Sequence, residues 1–235
     1  MRAWKILPAG DQAVTVEFSD TIDDAVNSSV VALARALRAR CINGITEIVP
    51  TYRSLTIGYD PAVLGGEEVG TLLGTLDVEA SETGPARTWR LPVAYGYGDN
   101  DLEALAQSKS LTPSQFIEQH SAARYRVYMI GFAPGYAYLG GLSPALHAPR
   151  RTVPRQRAEP GAVAIGGIQT SVSSVAMPSG WNILGYTPVQ MFDMRRDEPF
   201  LVRAGDFIEF EPVSEREAER LRALADENRL VVEPC

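Results

Sequence analysis

The sequence predicts a small α+β domain followed by a mainly β domain of barrel or sandwich type. Three observations carry this reading. Residues 1–76 switch between helical and strand periodicity in the order β-α-β-β-α, which suggests a ferredoxin-like layer. From about residue 89 onward, short strand-like runs follow one another between turn residues, a spacing that argues against a parallel sheet. Between the halves, residues 77–88 (DVEASETGPART) have little apolar content apart from Val78 and carry Gly84-Pro85, the composition of a linker. The expected domains are residues 1–84 and 85–235.

In the first half, Ala13 to Phe18 reads as a strand. Residues 23–40 then place Val26, Val30, Leu33 and Leu37 on one helical face. Asp23 and Asp24 at its start and Arg35, Arg38 and Arg40 at its end suit the helix dipole, and Gly44 is the expected stop. Strands are predicted over Thr46 to Tyr52 and Ser54 to Tyr59, where Leu55, Ile57 and Tyr59 alternate. A second helix over 67–76 spaces Val69, Leu72, Leu73 and Leu76 along one stripe.

In the second half, a helical turn is predicted over 99–107. A second helix opens on Thr112 as N-cap, with Pro113 at the first helical position and Gln115 completing a capping box. Strands are expected at 124–131, 162–168, 171–176, 189–193, 199–203 and 207–211. A last helix begins at Ser214, with Glu217 as the other half of a capping box, and buries Ala218, Leu221 and Leu224. Leu230-Val231-Val232 is a candidate edge strand.

Composition narrows the function classes. The 235 residues carry 45% hydrophobic and 22% charged side chains and a net charge of −7. With no basic run, nucleic acid and anionic membrane are not expected partners. No apolar stretch reaches the roughly 18–20 residues of a bilayer span. Pro8, Gly10 and Asp11 interrupt the N-terminus before a signal-peptide core can form. Cys41 and Cys235 give neither a disulfide framework nor metal-ligand spacing, so no metal-ligating residue is named, whether a metal takes part is left open, and the expected compartment is the cytoplasm. A Walker-type glycine loop, a G-x-S-x-G elbow, a CxxC and an HExxH are all missing.

The densest information lies between Tyr128 and Trp181, where glycines and prolines crowd a region that otherwise reads as barrel wall. Such a run implies tight turns and close backbone approach, with Tyr136, Tyr138, Arg150, Arg155, Gln169 and Trp181 held between the turns. His120, at the end of the capped helix, has three readings: proton shuttle, donor to a bound carboxylate, or inert cap. Arg150 and Arg155 each follow a proline that fixes the local backbone, and a planar guanidinium suits bidentate carboxylate or phosphate binding. The alternative is a structural bond to loop carbonyls. The Gln169 amide can donate and accept, as recognition of an amide or lactam requires. Trp181 offers an apolar wall, and Tyr125, Tyr136 and Tyr138 either line the same mouth or pack the barrel. His147 is read as surface.

Four linked blocks give these residues a context: His120-Ser121 through Tyr125, Val127, Gly131-Phe132, Pro134-Gly135 and Tyr138-Leu139; Pro149-Arg150 with Pro154-Arg155; Pro160-Gly161, Val163, Ile165, Gly167 and Gln169-Thr170; and Gly180-Trp181, Gly185 and Thr187-Pro188. In this order they resemble the family of the 5-oxoprolinase B subunit, allophanate hydrolase subunit 1 and the kinase inhibitor KipI (carboxyltransferase domain, subdomain C/D). The resemblance is strong over 91–193 and weaker over the first 90 residues. It departs at Tyr136, Ser171, Ser173-Ser174, Ser179 and Tyr186.

The resemblance implies a cyclophilin-like barrel and one subunit of a heteromeric, ATP-dependent amidohydrolase that opens 5-oxo-L-proline to L-glutamate. ATP would be a co-substrate of the complex. The implied partners are a carboxyltransferase-like protein of the type of the 5-oxoprolinase C subunit, and a third 5-oxoprolinase subunit. On this footing His120, Arg155 and Gln169 are the expected catalytic residues, and Tyr125, Arg150, Tyr138 and Trp181 the expected substrate-binding ones. Two other outcomes stay open: a KipI-type inhibitor of a sensor histidine kinase, or an allophanate hydrolase or urea carboxylase-related subunit acting on another amide.

Overall fold

In the computed structural model, which describes residues 4–76, 86–227, 229 and 231–234, the chain divides into two compact units, residues 1–86 and 87–235. Most of the segment read as a linker, 77–85, lies outside the described residues.

The first unit is a four-stranded antiparallel sheet with two helices. Its elements are β1 (Lys5–Pro8), β2 (Ala13–Glu17), α1 (Asp24–Ala39), β3 (Ile45–Pro50), β4 (Ser54–Tyr59) and α2 (Gly66–Thr75), with strand order β1-β2-β4-β3. The predicted β-α-β-β-α run is β2 through α2. The fourth strand enters from the N-terminal side as β1, whose four residues carry too little periodicity to announce it. Period-2 alternation sends Val14, Val16, Leu55 and Ile57 into one core, where they meet Val30, Leu33, Leu37, Val69 and Leu73 from the helices. The Asp23 carboxylate caps α1, accepting from the Ala25 amide at 2.8 Å. Gly44 is not the stop. The helix ends at Ala39 and Cys41 takes the left-handed turn (φ 44°), while Gly44 (φ 90°) turns the chain into β3.

The second unit is a closed barrel. It comprises β5 (Thr88–Tyr95), α3 (Leu102–Ser108), α4 (Pro113–Ser121), β6 (Arg124–Ile130), β7 (Ala137–Gly140), β8 (Arg155–Ala158), β9 (Ala162–Gly166), β10 (Gln169–Val172), β11 (Met177–Ser179), β12 (Asn182–Tyr186), β13 (Phe207–Pro212) and α5 (Glu215–Asp226). Seven strands close in the order β10-β7-β6-β13-β5-β12-β9, and β8 and β11 form a separate ribbon. A ring of seven cannot alternate direction all the way round, so one neighbouring pair must be parallel. That pair is β13 with β5. Leu91, Val93, Val127, Leu139, Val163, Ile165, Val172, Leu184 and Ile208 fill the interior with Leu102, Leu105 and Phe116 from the helices.

The caps are only partly as expected. Thr112 and Gln115 form the predicted reciprocal box at α4. At α5, Ser214 caps the Glu217 amide, but the Glu217 carboxylate turns to Arg220 at 2.7 Å instead of closing a box. Ala218 and Ala225 are buried there, with Leu221 and Leu224 half-buried. The strands expected at 189–193 and 199–203 do not form. Their alternating apolar residues meet only through a single bridge, Phe192 with Phe200, because Met191, Leu201 and Val202 pack as loop residues against the barrel core. At the tail, Val231 and Val232 pack on that core without forming a strand.

The barrel interior also holds a polar chain. His120 is fully buried, with Nδ1 2.7 Å from the Tyr95 hydroxyl and Nε2 3.1 Å from Thr170 Oγ1. Thr170 Oγ1 donates onward to the Ala164 carbonyl at 3.0 Å, so it accepts from Nε2–H and leaves Nδ1 to accept from Tyr95. Tyr125 donates to the His120 carbonyl at 2.7 Å, and Phe210 stacks on the imidazole at 5.0 Å. Burial drives the His120 pKa down to about 3. The unfolded chain therefore binds a proton near pH 6.5 that the folded chain refuses. Stability from this group is complete above pH 6.5 and is lost as pH falls from there toward 3. Denaturant titrations should show an extra loss of about 2 kcal/mol between pH 7 and pH 5. A His120→Gln variant should lack it; an identical pH slope in that variant would show that the imidazole is not the source.

Candidate functional site

Register on one barrel wall assembles the site. Tyr138 lies opposite Ser171, and Gln169 opposite Gly166. Because Leu139, Thr170 and Ile165 point inward, these four positions face outward. Gly166 has no side chain, and a Cβ there would come within 2.5 Å of the Trp181 ring, so bare backbone is what lets the indole lie against the wall. Trp181 meets Tyr138 at 6.1 Å and Tyr136 at 6.4 Å, and the two tyrosines meet at 4.8 Å, all edge to face. The Tyr136 hydroxyl donates to Ser171 Oγ at 2.8 Å, which fixes that ring.

The turn 131–136 completes the rim. Gly135 (φ 75°) passes so close to Phe192 that a Cβ would sit 2.8 Å away. Phe132, not a glycine, also has a positive φ of 70°, a strain of about 1–3 kcal/mol, and the residue is 79% exposed. It meets Tyr136 edge-on at 6.2 Å. The result is a cleft of about 180 Å³ lined by Phe132, Tyr136, Tyr138, Arg150, Met177, Pro178, Ser179, Gly180 and Trp181. Arg150 lies 5.6 Å from the Trp181 ring centre. Burial raises the Tyr138 pKa while Arg150 opposes the shift. A larger hollow of about 450 Å³ lies beside Arg90, Arg124, Glu209 and Glu211. Its charges serve each other or the barrel rim: Arg90 faces Glu209 at 3.6 Å and Arg124 covers the Phe207 ring. The smaller cleft has the convergent aromatic walls of a binding site.

The expected site residues therefore separate. Tyr138, Trp181 and Arg150 share the cleft, and Gln169 stands on the same face of the wall. Tyr125 and His120 lie inside the barrel. An imidazole with both nitrogens bonded and no solvent exposure is a core group, and its expected proton-shuttle role has no path to a ligand in the cleft. Half-buried His147 bonds the Leu142 carbonyl at 3.1 Å.

Arg155 is engaged elsewhere as well. Its Nε and Nη2 fork onto Asp99 at 2.8 and 3.1 Å, and its Nη1 and Nη2 onto Asp101 at 2.6 and 3.0 Å. These bonds raise the pKa of Arg155, and the bond from Arg155 lowers that of Asp99. Asp101 also takes Arg151 and, at 2.8 Å, the Ile183 amide. The cluster clasps the 99–101 loop to β8 and β12, leaving Arg155 no fork for a ligand. Sequence reasoning missed Asp99, Asp101 and the wall residue Phe132. The signal for the first two was Asp-Asn-Asp in a glycine-rich turn ahead of α3, which reads as a cap. Among the described residues, no cluster of three or more His, Cys, Asp or Glu could hold a metal ion, and no helix is long and apolar enough to cross a membrane.

An Arg155→Lys variant keeps the charge and loses both forks. The exposed Asp99 arm contributes little, so the expected loss is about 1–2 kcal/mol, mainly from Asp101. Melting temperature should fall by roughly 3–8 °C with ligand affinity per folded molecule unchanged. An unaltered melting temperature with weakened ligand binding would return Arg155 to the site.

Residues 4–202 match the family described as carboxyltransferase domain, subdomain C and D. The chain is 34% identical over 232 residues to the B subunit of 5-oxoprolinase from Bacillus subtilis, spanning 91% of this chain and 95% of the relative. It is 35% identical over 208 residues to the protein of the same name from Escherichia coli, spanning 88% and 94%. The crystal structure of TTHA0988 superposes with a TM-score of 0.79 at 34% identity; the match covers 86% of this chain and 40% of that one.

Proposed function

The chain belongs to the family of carboxyltransferase domains, subdomain C and D, and on that footing we propose that it is one subunit of a heteromeric 5-oxoprolinase. The observation that carries this is near-complete coverage: three relatives, each named as the B subunit of 5-oxoprolinase, match 87–91% of this chain and 94–96% of their own length. The complex opens the lactam of 5-oxo-L-proline to L-glutamate at the expense of ATP, in the cytoplasm. A lactam is a poor electrophile, and activation of its carbonyl by phosphate makes it hydrolysable.

Within that scheme this chain supplies binding rather than proton transfer. Tyr138, Trp181 and Arg150 form its substrate-facing set, with Gln169 beside them. His120 is sealed in the barrel and Arg155 is clasped by carboxylates, so the described residues offer no complete nucleophile–base–orienter set. The remaining groups come from a carboxyltransferase-like partner, of the type of the 5-oxoprolinase C subunit, and from a third protein of the complex. Nucleotide binding is assigned to the whole assembly.

Reconstitution tests this. The purified chain alone should give no 5-oxoproline-stimulated ATP hydrolysis, and adding both partner subunits should restore it. Turnover by the isolated chain would refute the divided site. Stable capture of a histidine-kinase helix, with no turnover in the mixture, would replace the enzyme reading with inhibition.

A further inference from the structure

Arg150 differs from the arginines around it in having nothing to neutralise it. Arg151 and Arg155 are held by Asp101 and Asp99, and Arg157 by Glu159. Arg150 makes no hydrogen bond or ion pair among the described residues; its described contact is the Trp181 face. It is also the one charged side chain among the described residues that line the cleft, which holds no carboxylate. A guanidinium in this position presents a planar fork of donors over the indole, within cation–π range. The cleft volume of about 180 Å³ is below the roughly 300–1,000 Å³ of drug-sized pockets, which suits a small metabolite.

We propose that this cleft is a charge-selective subsite for small, flat-ringed monocarboxylates whose ring nitrogen is uncharged, and that it rejects the corresponding amino acids. The carboxylate takes the Arg150 fork and the ring lies among Tyr136, Tyr138 and Trp181. An ammonium has no counter-charge in the cleft. Of the aromatic faces in the cleft, Trp181, the strongest cation–π partner, already carries Arg150, whose like charge repels an ammonium.

For its place in catalysis, though not for its ligand chemistry, the subsite rests on the 5-oxoprolinase reading. Hydrolysis adds water across the lactam C–N bond. The oxygen goes to the carbonyl carbon, which becomes a second carboxylate, and the nitrogen gains protons to become an ammonium. Net charge stays at −1, but the product now carries the one group this cleft cannot pair. The subsite thus holds the substrate and releases the product without any conformational change.

Titration calorimetry on the full chain and on the assembled complex tests this with three probes. 5-Oxo-L-proline carries both features, L-proline replaces the lactam nitrogen by an ammonium, and 2-pyrrolidinone lacks the carboxylate. The first should bind at least about tenfold tighter than either of the others. Arg150→Gln should weaken 5-oxoproline binding by about ten- to a hundredfold, the range of a charge-assisted contact, at unchanged melting temperature. Arg150→Lys should recover part of it. L-proline binding as tightly as 5-oxoproline, full affinity in a folded Arg150→Gln chain, or no 5-oxoproline binding in either preparation would overturn the subsite. The two readings fail differently. If wild-type reconstitution gives no turnover while the probe order holds, the 5-oxoprolinase assignment fails and the subsite stands. If turnover is restored and Arg150→Gln keeps its KM, the subsite fails and the assignment stands.

Discussion

A closed sheet gives every strand residue one of two environments, and the rest of this protein follows from that. In an open sheet an edge can fray and a side chain can change sides. In a barrel, a one-residue slip would exchange the whole interior with the exterior. Thr170 and its neighbours Gln169 and Ser171 show the consequence. Thr170 points inward to serve the imidazole of His120, while its neighbours point outward toward the aromatic wall. The same strands support a dry, neutral hydrogen-bonded chain on one side and a solvent-open cleft on the other. Proximity in sequence therefore says little about membership of the site.

The second constraint is a competition for arginines. Pro149-Arg150 and Pro154-Arg155 look equivalent along the chain, and Arg151 lies between them. What distinguishes them is where Asp99 and Asp101 stand, more than fifty residues upstream of Arg155. Asp101 is largely buried and gathers two guanidiniums and a backbone amide. Breaking such a buried pair is expensive, because one charge is left uncompensated. Arg155 is consequently tied to the 99–101 loop, whereas Arg150 meets no carboxylate among the described residues.

Much of the fold was legible because its signals are local. Thr112 and Ser214 cap helices as their neighbours imply, Asp23 begins α1 where the dipole argument puts it, and the apolar stripes of α1 and α2 face the core. Strands of four residues or fewer, such as β1, β7, β8 and β11, carry too few repeats of a two-residue period to be told from turn. The reverse error arose at 189–193 and 199–203, where alternation reflects loop residues packing on a core. Motif context named Tyr138, Arg150 and Trp181, and the structure brings these three side chains to one cleft. The places of His120 and Arg155 were not legible, because burial and carboxylate partners depend on long-range closure that no local pattern encodes.

The glycine-rich run between Tyr128 and Trp181 has its explanation in the same closure. Gly166 is bare so that an indole can lie on the wall, and Gly135 is bare so that a turn can pass Phe192. Phe132 accepts a left-handed backbone although it is not a glycine, and it leaves an apolar ring in water beside the cleft. Strain and exposure at one residue are both unfavourable in the isolated chain. The exposure would be offset if something covers that ring when the cleft is filled. Barrel closure alone does not bury that ring, so a surface that covers Phe132 would have to come from outside the cleft walls.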